Sequence, residues 1–267
     1  MTACLAAGCT VAMLPLHVAV LRSALGELRT LLTDHAWGQY YAESEVHIHS
    51  QWKELIYPML RNCNFTSVLE LAAGACRNTE KLLPLADRIV VTDVSEQAIT
   101  LCRERFAGRR DERKLEFVLL DGWTLPLPND SFTLVYQFDS GVHFPAEVIR
   151  SYMSDIARVL RPGGAGFFHH SNLGASAFPV ASDSDPYRNK AARSNVTRAS
   201  FAAMVRDAGL EMLCHPVVDW HGGRSKDLDA FALFWKSGGH LSSALPAACP
   251  ERLTEPTGAA EKSRPPA

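Results

Sequence analysis

The chain has 267 residues, 47% hydrophobic and 21% charged, with 27 lysines and arginines against 29 aspartates and glutamates. This size and balance fit one globular α/β domain with short extensions, able to bury a full core without disulfides or a structural metal. A formal net charge of -2 offers no basic excess for a polyanion, so nucleic acid is excluded as the expected partner.

Residues 3–21 are largely apolar, but no basic residue precedes Arg22, and Pro15 and His17 interrupt the run. Leu5-Ala6-Ala7-Gly8-Cys9 resembles a lipoprotein cleavage box but lies too early, with no apolar segment ahead of it. Neither a signal peptide nor a membrane span is expected; residues 1–34 read as a helical extension, packed or frayed. Cysteines stand at 4, 9, 63, 76, 102, 214 and 249. An odd count without C-x-x-C indicates neither a disulfide framework nor a zinc site, and points to a reduced cytoplasmic compartment.

Strands and helices then alternate. Short apolar runs at Thr66–Leu71, Arg88–Asp93, Leu115–Leu120, Phe132–Phe138 and Gly164–His170 read as strands of a buried parallel sheet. Glu96–Phe106 carries the helical period, and Ala146–Leu160 runs into Arg161-Pro162-Gly163-Gly164, where proline and glycine end it. A helix near Arg198–Gly209 precedes strand-like runs at Glu211–Trp220 and Asp229–Trp235. The pattern predicts a mostly parallel, seven-stranded sheet closed by an antiparallel hairpin. From Gly238 the chain is rich in Gly, Ser, Ala, Pro and Glu, the composition of a disordered tail. The expected divisions are 1–34, a domain over 35–237, and 238–267.

An open parallel sheet binds its ligand over the carboxyl ends of the strands. The first strand ends in Glu70-Leu71-Ala72-Ala73-Gly74-Ala75-Cys76-Arg77-Asn78, small residues that let the backbone approach a ligand ahead of a helix. Asp93 ends the second strand, where a carboxylate can accept both hydroxyls of a ribose. Asp121-Gly122-Trp123 follows the third, where a carboxylate can accept from an adenine amino group. Singly, each acid is as readily a helix cap or solvated turn. In this order on three successive strand ends they are far more specific.

This row resembles the class I S-adenosylmethionine-dependent methyltransferases, a Rossmann-like fold. Val68–Cys76, Val90–Val94, Asp121–Trp123, Val135–Phe144 and Arg158–Gly164 match the family pattern in order, and the similarity covers roughly 35–236. Arg77–Leu82, Phe138–Phe144 and Phe168–Asn172 resemble a bacterial subgroup linked to glycan or secondary-metabolite tailoring. The resemblance implies S-adenosylmethionine as cofactor. Glu70, Ala72 and Gly74 would hold its methionine part, with Tyr40, Asn78 and Thr79 grouped on the same site. Asp93 and Val94 would take the ribose, Asp121, Gly122 and Trp123 the adenine, and Gln137, Phe138 and Asp139 the floor. Ala72 and Cys76 stand where the family prefers glycine. A dinucleotide-binding dehydrogenase would need glycine or alanine near position 77, which is arginine.

Methyl transfer to a hydroxyl needs alignment, exclusion of water and a base. His143, after the fourth strand, is the first candidate; the alternative is a helix cap or core residue. His169 and His170 end the fifth strand, and adjacent strand residues face opposite ways, so one of them reaches the pocket. Asp139 and His169 complete the candidate catalytic set. No metal is expected, since a His-His dipeptide is poor ligand spacing. Trp37–Tyr41, with His47, His49 and Trp52, forms either a pocket cover or a helical face packed on the sheet. Leu173–Thr197, with Tyr187, Arg188 and Arg193, is long enough for a lid. The arginines of Cys102–Lys114 are interleaved with Glu104, Asp111 and Glu112, as on a solvated helix face. The expected partner is a small-molecule acceptor, with no membrane and no nucleic acid. Oligomeric state is not legible.

Overall fold

The computed structural model describes residues 47–175, 193–220, 225–238 and 249–255, with Glu45 and Gly223. The chain divides into two units between Ala42 and Glu43, and all described residues belong to the second. Tyr40, the Trp37–Tyr41 segment, and Tyr187 and Arg188 lie outside the described residues.

Five strands run parallel: β1 (Ser67–Leu71), β2 (Arg88–Asp93), β3 (Leu115–Leu119), β4 (Phe132–Gln137) and β5 (Leu160–Ser171). Antiparallel β8 (Ser225–Trp235) lies against β5, and β6 (Glu211–Cys214) and β7 (Val217–Trp220) both pair with β8. The sheet order is β3-β2-β1-β4-β5-β8-β7-β9, where β9 is Arg252–Thr254, with β6 beside β8. Helices are α1 (Tyr57–Leu60, continuing a π-helical stretch Trp52–Ile56), α2 (Thr79–Leu82), α3 (Glu96–Phe106), α4 (Ala146–Val159) and α5 (Arg198–Asp207).

The mixed α/β sheet is the expected one, with nine strands among the described residues rather than seven. One extra strand arises because the single run expected over Glu211–Trp220 breaks at His215-Pro216, where proline has no N–H for a ladder. The other is β9 (Arg252–Thr254), parallel to β7. It falls within the segment whose composition suggested a disordered tail. Specific side chains hold it: Arg252 bonds Asp219 (2.6 Å) and Asp227 (2.8 Å), and Gln51 Nε2 donates to buried Glu255 at 3.0 Å.

A second correction concerns the cysteines. Cys76 pairs with Cys102, and Cys214 with Cys249, across sequence separations of 26 and 35 residues. Linear spacing did not reveal either pair, because helix packing and sheet pairing bring the partners together. Cys63 is the free cysteine among the described residues, and burial pushes its thiol up to about 12.

Side chains of β1, β2, β4 and β5 are buried on both faces, whereas those of edge strand β3 are half-buried or exposed. Val68, Ile89, Val91, Leu134, Tyr136 and Phe167 join one core layer; Leu69, Leu71, Val90, Val135 and Phe168 join the other. This two-sided burial is why these strands read as continuous apolar runs. Trp52 packs against the first layer, stacked on Tyr57 with centroids 5.9 Å apart. That supports the packed-face reading of its segment, while His49 is exposed.

Candidate functional site

Strand order reverses between β1 and β4, the crevice at which open α/β sheets bind ligands. The β1 loop enters this crevice with Ala72, Gly74 and Cys76 at φ of 56°, 56° and 63°. Alternating left-handed residues curl the backbone tightly. Glycine does this freely, whereas a β-carbon costs about 1–2 kcal/mol per residue.

The loop is tied down from several sides. Gly74 N–H donates to Asp93 Oδ2 at 2.9 Å, and Ala73 N–H to the Thr92 carbonyl at 3.0 Å. Asp93 Oδ1 accepts from Ser95 N–H at 2.9 Å. Ser140 Oγ donates to the Ala72 carbonyl at 3.0 Å, and Arg77 forms an ion pair with Asp139. The loops after β1 and β4 are thereby one unit.

Glu70 lies beneath the loop, 1% exposed. Thr79 Oγ1 donates to its Oε2 at 2.6 Å, and its Oε1 has no partner among the described residues. Burial raises its carboxyl to about 8, and the Thr79 bond opposes that shift. A buried acceptor without a donor next to a tightly curled loop of small residues is the chemistry that an ammonium group would satisfy. The residues present therefore fit the methionine end of S-adenosylmethionine. Asn78 and Thr79 support the site indirectly: Asn78 Oδ1 accepts from Tyr136 Oη at 2.9 Å, and Thr79 holds Glu70.

Asp121 is exposed and uses its carboxylate locally. Its Oδ1 accepts from the Trp123 and Thr124 N–H groups, both at 2.8 Å, and its Oδ2 from Thr124 Oγ1 at 3.0 Å. The turn-capping alternative is thus realised. Gly122, at φ 86°, lies beside Val94: an added Cβ would be 3.6 Å from Val94 Cγ1, ordinary van der Waals contact. Ser151 Oγ fixes the Trp123 carbonyl at 2.7 Å.

On the floor, Gln137 is fully buried; its Oε1 accepts from His169 N–H at 3.1 Å and its Nε2 has no partner among the described residues. Phe138 packs on His169 and Phe231, with the Arg77 guanidinium 5.9 Å from its ring. Gly141 is obligatory: a Cβ there would lie 2.4 Å from the His169 carbonyl and 2.5 Å from Gln137 Oε1.

The three candidate catalytic residues separate in character. His143 is exposed on a short 3-10 turn, Gly141–His143, directly after the β4 loop. His169 is 1% exposed, and its Nδ1 accepts from Asp139 N–H at 3.1 Å. Its proton is therefore on Nε2, 3.5 Å from Asp229 Oδ2. Burial works to raise the Asp229 carboxyl, but Arg193 and His169 outweigh it and hold it well below the usual range. Arg193 (2.8 and 2.9 Å) and Trp220 Nε1 (2.6 Å) complete this carboxylate's shell. So placed, His169 orients Asp139 and does not face solvent as a base. His170 is buried on the other side, stacked on Phe201 at 3.9 Å, with its Nε2 2.7 Å from that of His215.

Arg77, Ser140, Arg193 and Asp229 shape the site; the sequence singled out Arg193 only as part of the expected lid and gave Asp229 no site role. Arg77 was visible as a departure from the dehydrogenase fingerprint and as the first residue of the Arg77–Leu82 motif, and Ser140 lay within Phe138–Phe144.

Residues 68–164 match the family model described as a methyltransferase domain. A demethylmenaquinone methyltransferase of Clavibacter sepedonicus is 36% identical over 97 residues, 36% of this chain and 38% of that one. The methyltransferase GfsG of Streptomyces halstedii is 27% identical over 143 residues, 51% of each chain. The chain thus spans about half or less of the length of these curated relatives. Among solved structures, an S-adenosylmethionine-dependent methyltransferase from Clostridium acetobutylicum aligns with a TM-score of 0.56 at 16% identity, covering 76% of this chain and all of that one. The [4+2]-cyclase SpnF aligns at 0.57 and 16% identity, covering 71% and 82%. At these identities the structural likeness shows the fold alone. The matched segment contains the β1 loop, Asp93, Asp121 and the β4 loop, and over residues 68–164 the chain is similar to a methyltransferase domain.

Proposed function

We propose that the protein transfers a methyl group from S-adenosylmethionine to a small-molecule acceptor, a hydroxyl of a sugar or secondary metabolite. The carrying observation is the joined pair of loops: Glu70 Oε1 unpartnered beneath the β1 loop, and His143 on the β4 loop bonded to it through Ser140 and Asp139. S-adenosylmethionine supplies a sulfonium-activated methyl group, a good electrophile in itself. The protein's share is orientation and proton removal. Glu70 and the β1 loop hold the amino-acid end, Asp93 the ribose, and Val94, Gly122 and Trp123 the adenine. His143 would take up the proton lost by the acceptor hydroxyl, and the sulfonium sulfur would leave as a neutral thioether.

Relatives that carry C-methyltransferase names support a carbon acceptor as the second reading. No helix among the described residues is long and apolar enough to cross a membrane. The net charge of -2 favours a small acceptor over nucleic acid.

The test is transfer of isotopically labelled methyl from S-adenosylmethionine to a panel of sugars, phenols, quinols and amines. Label on a hydroxyl, lost in His143→Ala while cofactor affinity is kept, supports the proposal. Label on carbon selects the second reading. Cofactor binding without turnover on any acceptor would select a silent, cofactor-binding protein.

A further inference from the structure

Helix α3 presents two residues, three positions apart and hence on one face, to the β1 loop. Cys102 is bonded to Cys76 with Cα atoms 5.4 Å apart, and Arg105 Nη1 donates to the Ala75 carbonyl at 3.0 Å. Cys102 Sγ also lies 3.2 Å from the Gly74 carbonyl. Gly74 is in turn the residue whose N–H engages Asp93. Two consecutive loop residues, Ala75 and Cys76, are thus gripped by one helix, and the helix begins just after the acid assigned to the ribose. Arg105 is itself fixed by Glu80 (3.2 Å) and by Glu45.

Cys76 occupies a left-handed position, φ 63°, where glycine is the unstrained choice. A covalent bond to α3 removes the alternatives to which a strained residue would otherwise relax. We propose that the Cys76–Cys102 bond is a thiol–disulfide exchange site that sets cofactor affinity, with Cys102 and Arg105 as positioning residues of the cofactor loop. The inference rests on the methyltransferase reading of that loop.

The reactant is a dithiol. Its thiolate attacks one sulfur of the pair and displaces the other as a thiolate. Its second thiolate then closes the reductant's own disulfide, releasing Cys76 and Cys102, which gain two electrons and two protons in total. Both sulfurs belong to residues that are 0% exposed, so exchange requires the loop to open. By linkage, a ligand that holds the loop closed protects the bond by the factor by which the bond favours the ligand. Relief of a left-handed non-glycine residue corresponds to roughly a five- to thirty-fold loss of affinity on reduction.

The experiment titrates full-length protein with S-adenosylhomocysteine by calorimetry, before and after equilibration with dithiothreitol, with thiols counted by mass after alkylation. The expected result is an affinity loss of that size on reduction, and slower reduction of Cys76 and Cys102 in the presence of ligand. Cys76→Gly/Cys102→Ala, with glycine restored at the left-handed position, should bind with an affinity that dithiothreitol does not change. Cys214→Ala/Cys249→Ala should keep the redox response. Equal affinity of wild-type protein with both pairs oxidised and with Cys76 and Cys102 reduced overturns the proposal. Absence of binding in the oxidised protein would instead overturn the cofactor reading on which it rests.

Discussion

The backbone N–H of Asp139 donates to His169 Nδ1 at 3.1 Å, so a histidine that ends β5 anchors the loop that follows β4. Asp139 needs the anchor, being left-handed at φ 73°. The anchor in turn has its tautomer fixed by buried Asp229. Removing the imidazole leaves a cavity among Phe138, Trp220 and Phe231. His169→Ala is therefore expected to cost about 2–4 kcal/mol in urea unfolding. His143→Ala, at an exposed position, should stay within about 0.5 kcal/mol. Equal small effects would show that His169 anchors nothing.

Ala72 sits at φ 56°, where its methyl group strains the backbone. Ala72→Gly relieves that strain but adds freedom to the unfolded chain, for a net gain of about 0.5–1 kcal/mol. A higher urea midpoint with unchanged slope checks this. A lower midpoint would mean that the methyl group packs usefully.

Glu70 makes the ligand-free protein sensitive to alkali. Burial raises its carboxyl from 4.5 to about 8, so the folded state holds the proton more tightly than the unfolded chain does. That stabilisation is complete below pH 4.5 and disappears as pH rises through 8. Glu70→Gln mimics the protonated form, so its stability relative to wild type should be flat near pH 4 and grow to a few kcal/mol, on the order of 2–4, by pH 8.5. Paired thermal melts across this range are the check, and a constant difference would contradict the assignment.

The His170–His215 pair works in the opposite direction. Burial, chiefly, holds His170 well below 6.5 and lowers His215 to about 4. The unfolded chain takes up these protons first, so the contribution is intact above pH 6.5 and is lost as pH falls towards 4. His215→Asn should flatten stability between pH 6.5 and 4, measured as the difference from wild type. An unchanged acid limb would place the sensitivity elsewhere.

Much of this architecture was readable before any coordinates. Arg88–Asp93 and Glu96–Phe106 appear with the bounds their periodicity indicated, because buried parallel strands and capped helices leave strong local patterns. The strand-end acids were legible for the same reason. Long-range partners were not: Cys76 finds Cys102 only because α3 packs beside the β1 loop, and Arg193 finds Asp229 only across a separation of 36 residues. The two neighbouring histidines looked alike in sequence. Their roles diverge because alternation sends His169 towards Asp139 and Asp229, and His170 towards Phe201. Arg252–Thr254 likewise becomes a strand through Asp219 and Asp227, which lie far away in the chain.

The central claim is that the β1 and β2 strand ends form an S-adenosylmethionine site. Its most direct test is calorimetric titration of the oxidised protein with S-adenosylmethionine and with S-adenosylhomocysteine, with NADH as control and Asp93→Ala alongside. Saturable binding of both sulfur ligands, none of NADH, and loss in the variant is the predicted result. Failure of the wild-type protein to bind either sulfur ligand, or undiminished binding by Asp93→Ala, would contradict the account.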